Sequence, residues 1–171
     1  SWEDYQKFVS RASTRTAYGQ KSLSLTGFTF GKGKVQGKVY DKRKEIKKHK
    51  REWQFSLWSG VDDSEPVWRV EFELKRDFLK ECDCDSFSTF QSKSGDIWKY
   101  LTSEWLSHRE IDNSNTTRRS ITSVWEIVQG VGGFFGSQGN SVRETSRKGT
   151  LNHLVKMIKG CLTSVGAILS K

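Results

Sequence analysis

The sequence predicts an α+β fold: a small antiparallel sheet, made of a hairpin plus one further strand, with helices packed on one face and a helical C-terminal half. Three observations carry this expectation. Residues 35–40 and 67–75 alternate β-branched or aromatic residues with polar ones at period two, the mark of half-buried strands. Gly31-Lys32-Gly33-Lys34 supplies the glycines of a tight turn ahead of the first of these strands. Beyond residue 76 the apolar residues recur at i, i+3, i+4 and i+7, which is helical spacing.

In chain order, residues 2–11 read as a short packing helix, with Trp2, Tyr5, Phe8 and Val9 on one stripe and Ser1 as cap. Thr14 to Gln20 reads as a polar connection. Leu23, Leu25 and Phe28 to Phe30 form the first hairpin strand, and Val35 to Tyr40 the second. From Asp41 the period changes to that of a helix whose stripe is Ile46, Trp53 and Leu57. Residues 60–66 make an acidic loop before the strand from Val67 to Lys75. Phe78 and Leu79 begin a short helix. Ser94 is expected to cap a further helix, with Ile97, Trp98, Leu101 and Trp105 as its stripe and its end near His108. A polar loop, Asp112 to Arg119, precedes the clearest helical pattern, Ile121, Val124, Trp125 and Val128. The glycine-rich stretch 130–140 lacks the Gly-Lys-Ser/Thr ending of a phosphate loop and reads as a connector. Thr150 is then expected to cap a last helix running to Ile168. The chain reads as one domain, 1–171, with its sheet within 23–75 and a mainly helical part from 76 onward.

Composition narrows the partners. With 29 Lys or Arg against 20 Asp or Glu, the net charge is +9, which favours a polyanion. Residues 31–52 concentrate this excess, with ten Lys or Arg against three acidic residues, a net +7. Lys32, Lys34, Lys38, Arg43, Lys44, Lys47 and Lys48 are therefore the candidate phosphate contacts for DNA; the alternative is an ordinary solvated helix face. No apolar run is long enough to span a bilayer, and no membrane partner is expected. The three cysteines, two of them in Cys82-Asp83-Cys84, do not form a disulfide framework, which favours a reducing cytoplasm.

The alternation gives each strand a chemical face. Val70, Phe72 and Leu74 lie on one side of their strand and Arg69, Glu71 and Glu73 on the other; Val35, Gly37 and Val39 oppose Gln36, Lys38 and Tyr40 in the same way. Pairing the two strands over a common core puts Tyr40 on the surface that carries Glu71 and Glu73. A phenol beside two carboxylates and several lysines reads as a metal-assisted phosphoryl-transfer site. The plainer alternatives are a cross-strand aromatic at Tyr40 and lysine ion pairs at the two glutamates.

Val39-Tyr40-Asp41-Lys42 with Glu45, then Pro66-Val67-Trp68-Arg69-Val70-Glu71-Phe72-Glu73-Leu74, resembles the replication initiation factor family of rolling-circle plasmids, filamentous phages and related conjugative relaxases. The likeness extends to Ile97-Trp98-Lys99-Tyr100-Leu101, to Trp105-Leu106 and to Ile158-Lys159-Gly160, and so covers most of the chain from about Thr26. It implies a nuclease that nicks one DNA strand at an origin, joins the 5′ phosphate to a tyrosine and uses a divalent metal. Tyr40 would be the nucleophile, with Lys38 and Lys42 easing loss of its proton and Arg69 clamping a phosphate oxygen. Asp41 and Glu71, with Glu73 as a weaker member, would hold Mg²⁺ or Mn²⁺. The resemblance also implies single-stranded or origin DNA, a host helicase and a second copy of the chain as partners, in the cytoplasm of a bacterial host, with this chain as the C-terminal part of a longer initiator. The chain departs from the His-hydrophobic-His metal pair of many rolling-circle nucleases, since His49, His108 and His153 stand apart. The competing expectations are a non-catalytic DNA-binding fragment and a structural protein of a phage or plasmid.

Overall fold

The computed structural model describes residues 4–19, 25–58 and 65–136, together with Ile158. The fold is α+β with antiparallel sheets, as expected. Strands β1 (Phe8–Ser10), β2 (Arg15–Gly19), β3 (Leu25–Phe30) and β4 (Val35–Asp41) lead into helix α1 (Lys42–Lys48). Next come β5 (Trp68–Leu74), α2 (Arg76–Glu81), α3 (Phe87–Tyr100), β6 (Leu106–His108) and α4 (Ser123–Gly130). The main sheet has the order β2-β3-β4-β5, and β1 pairs with β6 in a separate two-stranded ribbon.

The main sheet obeys its period-two pattern closely. In β4 the residues Val35, Gly37, Val39 and Asp41 are buried while Gln36, Lys38 and Tyr40 are half-buried on the other side. Gly31, with φ +78°, turns the chain back from β3 into β4, and a side chain there would meet the Val35 carbonyl at 2.7 Å. Phe28, Phe30 and Val39 face a core that also holds Phe8, Phe78, Ile97, Leu101, Trp105, Leu106 and Trp125. Much of it is aromatic, which is how a chain with 34% hydrophobic residues fills its interior. Phe8 lies 5.1 Å from Phe28 and 5.2 Å from Phe30, ring centre to ring centre, and meets Trp125 edge-on.

Several local expectations are corrected, each for a tertiary reason. The helix expected over 2–11 is a single 3₁₀ turn, Tyr5–Lys7, followed by a strand. Phe8 and Val9 pair instead with His108 and Ser107, a partner about a hundred residues distant that local spacing does not reveal. The polar connection expected over 14–20 contains β2, an edge strand with every residue exposed, so it lacks the apolar face that marks a strand in sequence. The stripe Ile46, Trp53, Leu57 is broken. Helix α1 ends in a 6→1 bond from Arg51 N to the Ile46 carbonyl (3.0 Å), with Lys50 in the left-handed region at φ 53°. Ile46 is buried, but Trp53 and Leu57 ride a separate 3₁₀ turn, 66% and 69% exposed.

Ser86, not Ser94, caps α3, accepting from Thr89 N at 3.1 Å. The helix does not run on to His108 either. Its last residues widen into a π-type turn, Leu101–Trp105, and the chain then extends into β6. The cause is visible at Thr102, whose hydroxyl donates back to the Trp98 carbonyl at 2.8 Å while its own carbonyl accepts from Trp125 Nε1 (2.7 Å) and Gln129 Nε2 (2.9 Å). In α4, Trp125 is fully buried and Val128 packs on the core, but Val124 faces out and Ile121 forms an isolated bridge with Arg109. Cys82 and Cys84 are buried, and burial pushes the Cys84 thiol up. The expected last helix, the glycine-rich connector beyond Gly136, Trp2 and most of the acidic loop lie outside the described residues.

His108 sits in this core, 4% exposed, edge-on to Phe8 and with Nδ1 2.9 Å from the Thr122 hydroxyl. Burial, reinforced by the Lys7 charge, pushes its imidazole down to about 4. An imidazole that is neutral when folded but titrates near 6.5 when unfolded leaves stability intact above pH 6.5 and removes it as the pH falls toward 4. The loss attributable to this residue approaches about 3 kcal/mol at the acid end. Thermal unfolding followed between pH 7 and pH 4 should show the midpoint falling across this window, and His108→Gln should flatten that part of the curve.

Candidate active site

The register of β4 against β5 assembles the outer face of the sheet. Gln36 faces Glu73, Lys38 faces Glu71 and Tyr40 faces Arg69. On the other side of β4, Gly27 faces Tyr40, and Tyr18 of β2 faces Gly27, so one row across the sheet reads Tyr18, Gly27, Tyr40, Arg69. Gly27 is required in that row: a Cβ there would lie 2.6 Å from Tyr40 Cβ and 2.9 Å from the Val39 carbonyl. A cavity of 740 Å³ opens over these rows, with Tyr18, Lys38, Tyr40 and Glu71 in its floor and Lys44 and Lys48 of α1 along its side.

Within it the Tyr40 hydroxyl donates to Glu71 Oε2 at 3.2 Å, and Arg69 Nε lies 3.1 Å from the same oxygen. Glu71 Oε1 faces the Lys38 ammonium at 3.9 Å, which in turn lies 3.6 Å from Glu73 Oε2. Burial first, and then the Glu71 charge, push the Tyr40 phenol up to about 12, with Arg69 working in the opposite sense. The phenol therefore keeps its proton at neutral pH and donates it in a hydrogen bond to the Glu71 carboxylate. Tyr40, Glu71 and Arg69 thus form one connected set.

The remaining sequence-derived residues divide by position. Lys42 Nζ, expected to ease loss of the Tyr40 proton, stands 6.0 Å above the Tyr40 ring but is ion-paired to Glu45; the cation whose charge lowers the phenol is Arg69, which the resemblance casts as a phosphate clamp. Asp41 lines the same cavity as Glu71, but its carboxylate is engaged at the start of α1. It falls on the buried side of β4 and caps α1, its Oδ1 accepting from Arg43 N (3.0 Å) and Lys44 N (3.2 Å). Among the described residues no group of three or more His, Cys, Asp or Glu is placed to hold a metal ion, Cys82 and Cys84 included. Glu71 and Glu73 lie on the outer face with the Lys38 ammonium between them. Arg43, expected to meet DNA, is buried, its guanidinium 5.6 Å from both the Phe55 and the Trp58 ring centres. Lys32 and Lys34 occupy the hairpin turn, roughly 20 Å along β4 from Tyr40 at about 3.4 Å per residue, and Lys34 pairs with Glu81. Lys44 and Lys48 border the cavity, and Lys47 is exposed. The basic stretch thus forms two separate groups. Tyr18 is a cavity residue that its sequence context did not reveal, because β2 carries no apolar alternation.

No protein-family model matches the chain, and no curated protein matches it. Among solved structures, a rolling circle replication initiator protein from Geobacillus stearothermophilus is similar, with a TM-score of 0.47 and 18% identity over 74% of this chain and 46% of that one. The chain thus spans less than half the length of that protein, and the likeness at this level assigns neither residues nor chemistry.

The coupling between Tyr40 and Glu71 is open to direct measurement. Removing the Glu71 charge removes a cause that raises the phenol, so Glu71→Gln should bring the Tyr40 titration down from about 12 toward 10, while burial keeps part of the elevation. Ultraviolet titration of tyrosinate, taken as the difference from the Tyr40→Phe spectrum, reads this; an unmoved titration would mean that the two side chains are not in contact.

Proposed function

We propose that this protein initiates rolling-circle DNA replication by nicking and rejoining one DNA strand through Tyr40. The observation that carries the reading is the hydrogen bond from the Tyr40 hydroxyl to a carboxylate oxygen that Arg69 also holds. The Tyr-Asp-Lys and Arg-Val-Glu-Phe motifs and the charge of +9 support the same reading. In the first step Glu71 accepts the phenolic proton as the Tyr40 oxygen attacks phosphorus, the P–O3′ bond breaks, the 3′ oxygen takes a proton from water to become a free hydroxyl, and the 5′ phosphate remains esterified to Tyr40. Attack by a 3′ hydroxyl on that ester reverses the sequence and rejoins a strand with no input of energy. Arg69, 51% exposed, is placed to contact a phosphate oxygen while it orients Glu71.

Mg²⁺ or Mn²⁺ belongs to this proposal with Glu71 and Glu73 as its holders, since such ions are commonly held by one or two carboxylates together with substrate phosphates and water. When bound, the ion supplies charge to polarise the scissile phosphate. Lys38 then turns from the two carboxylates to the DNA backbone. Lys44 and Lys48 contribute phosphate contacts that position the strand without reading its sequence. A host helicase, a second copy of the chain and a cytoplasmic site of action in a bacterium complete the proposal.

Incubation with single-stranded origin DNA and Mn²⁺ should yield a protein–DNA band that survives denaturation, with peptide mapping placing the link at Tyr40. Tyr40→Phe loses only the hydroxyl and should bind DNA yet form no adduct; an adduct persisting in that variant would move the nucleophile elsewhere. Binding without any adduct from the parent protein would favour the non-catalytic reading. Glu73→Gln should leave DNA affinity unchanged while raising the Mn²⁺ concentration at half-maximal adduct formation, and an unchanged metal dependence would remove Glu73 from the ion's shell.

A further inference from the structure

Beside the site lies a second groove, of 560 Å³, that shares Arg69 with the proposed nicking site. Trp53, Leu57, Trp58 and Trp68 line it together with Lys42 and Arg69. Its composition is unusual for a free surface. Trp53 and Leu57 are 66% and 69% exposed on the 3₁₀ turn Glu52–Leu57, although an amphipathic continuation of α1 would have buried them. Exposed aromatic surface interleaved with cations is the arrangement by which proteins hold unpaired nucleotides: bases stack on the rings while the backbone follows the positive charge. The position is equally specific. Tyr40 and Glu71 line the first cavity and Arg69 lines the second, while Arg69 and Tyr40 face each other across the β4–β5 pair, so the two depressions adjoin at the attacking hydroxyl.

We propose that this groove seats unpaired nucleotides of the DNA strand next to the bond that Tyr40 attacks, with a base stacked on Trp53 and against Leu57 and the adjoining phosphate at Arg69. The assignment deepens the nicking proposal and rests on it for the identity of the strand. Charge favours a polyanion at the Trp53 end, where Lys50 and Arg51 of the basic stretch 31–52 are exposed, whereas the acidic residues Asp62, Asp63 and Glu65 follow Trp58 in sequence. Glu52 is the one acidic residue of that turn. The selection is for a polyanion with exposed rings, and duplex DNA, whose bases already stack on one another, does not satisfy the second requirement.

The test is binding of fluorescent oligo(dT), a duplex of equal length and oligo(rU) by the full chain at one fixed salt concentration. Trp53→Ala should weaken oligo(dT) binding by about tenfold, Leu57→Ala by less, and Trp53→Phe should retain most of the affinity. Duplex affinity and the salt dependence of oligo(dT) binding should stay where they were, because no phosphate contact is lost. Both residues are exposed, so thermal unfolding should match the parent. Unchanged oligo(dT) affinity in Trp53→Ala would overturn the proposal, as would an equal loss on the duplex or a loss confined to oligo(rU). A change in oligomeric state with oligo(dT) affinity intact would also overturn it, and would assign the groove to a second copy of the chain. Adduct formation separates the two readings: if the parent forms no adduct while Trp53→Ala still weakens oligo(dT) binding, the nicking proposal fails and the groove stands.

Discussion

Strand β4 is hydrogen-bonded on both sides, to β3 and to β5, and this double pairing is the constraint on which the rest of the structure depends. A strand held at two edges cannot rotate or slip by one residue without exchanging its faces, which would bring Lys38 and Tyr40 into the core and Val39 out of it. The fixed register is what sets Tyr40 against Arg69 and Lys38 against Glu71. A phenol, two carboxylates and two cations are thereby held by backbone geometry, and their side chains have little left to organise.

The electrostatics follow from that packing. The outer face pairs every acid with a base: Glu71 with Arg69, Lys38 and the Tyr40 hydroxyl, Glu73 with Lys38, and Glu45 with Lys42. Exposed pairs of this kind contribute roughly 0–1 kcal/mol each to stability. Their effect on the phenol is larger: burial and the Glu71 charge hold the proton on Tyr40, and Arg69 works in the opposite sense. The same logic explains Asp41. At the junction of strand and helix its carboxylate satisfies two amides at the start of α1, and this fixes the angle at which Lys44 and Lys48 border the cavity.

The inner face is closed by elements that meet only in three dimensions. The β1–β6 ribbon delivers Phe8 to Phe28 and Phe30, and the widened turn after α3 exists because Trp125 and Gln129, some twenty-five residues later, hold the Thr102 carbonyl. Trp98 is tied in the same way, its indole N–H donating to the Val128 carbonyl at 2.7 Å. Indole and amide donors from α4 thus decide where α3 ends.

By itself the sequence determined the α+β class, the hairpin and its turn, and the outward face of Tyr40, Lys38, Glu71 and Glu73, because period-two alternation is local information that survives folding unchanged. It also located the basic stretch. What it did not determine were β1 and β6, which pair with each other about a hundred residues apart, β2, an exposed edge strand with no apolar alternation, and the end of α1, where Arg51 closes back on Ile46 and leaves Trp53 and Leu57 on the surface. The same holds for the site. Residue type suggested that Asp41 and Arg43 belonged with Glu71 and the lysines, but one sits at a buried position of β4 and the other packs on Phe55 and Trp58. Tyr18 joins Tyr40 only because Gly27 lies between them in the sheet. Spacing along the chain fixes which way a side chain points on its own strand; which strands lie beside one another, and so which side chains share a site, is decided by the long-range packing that closes the core.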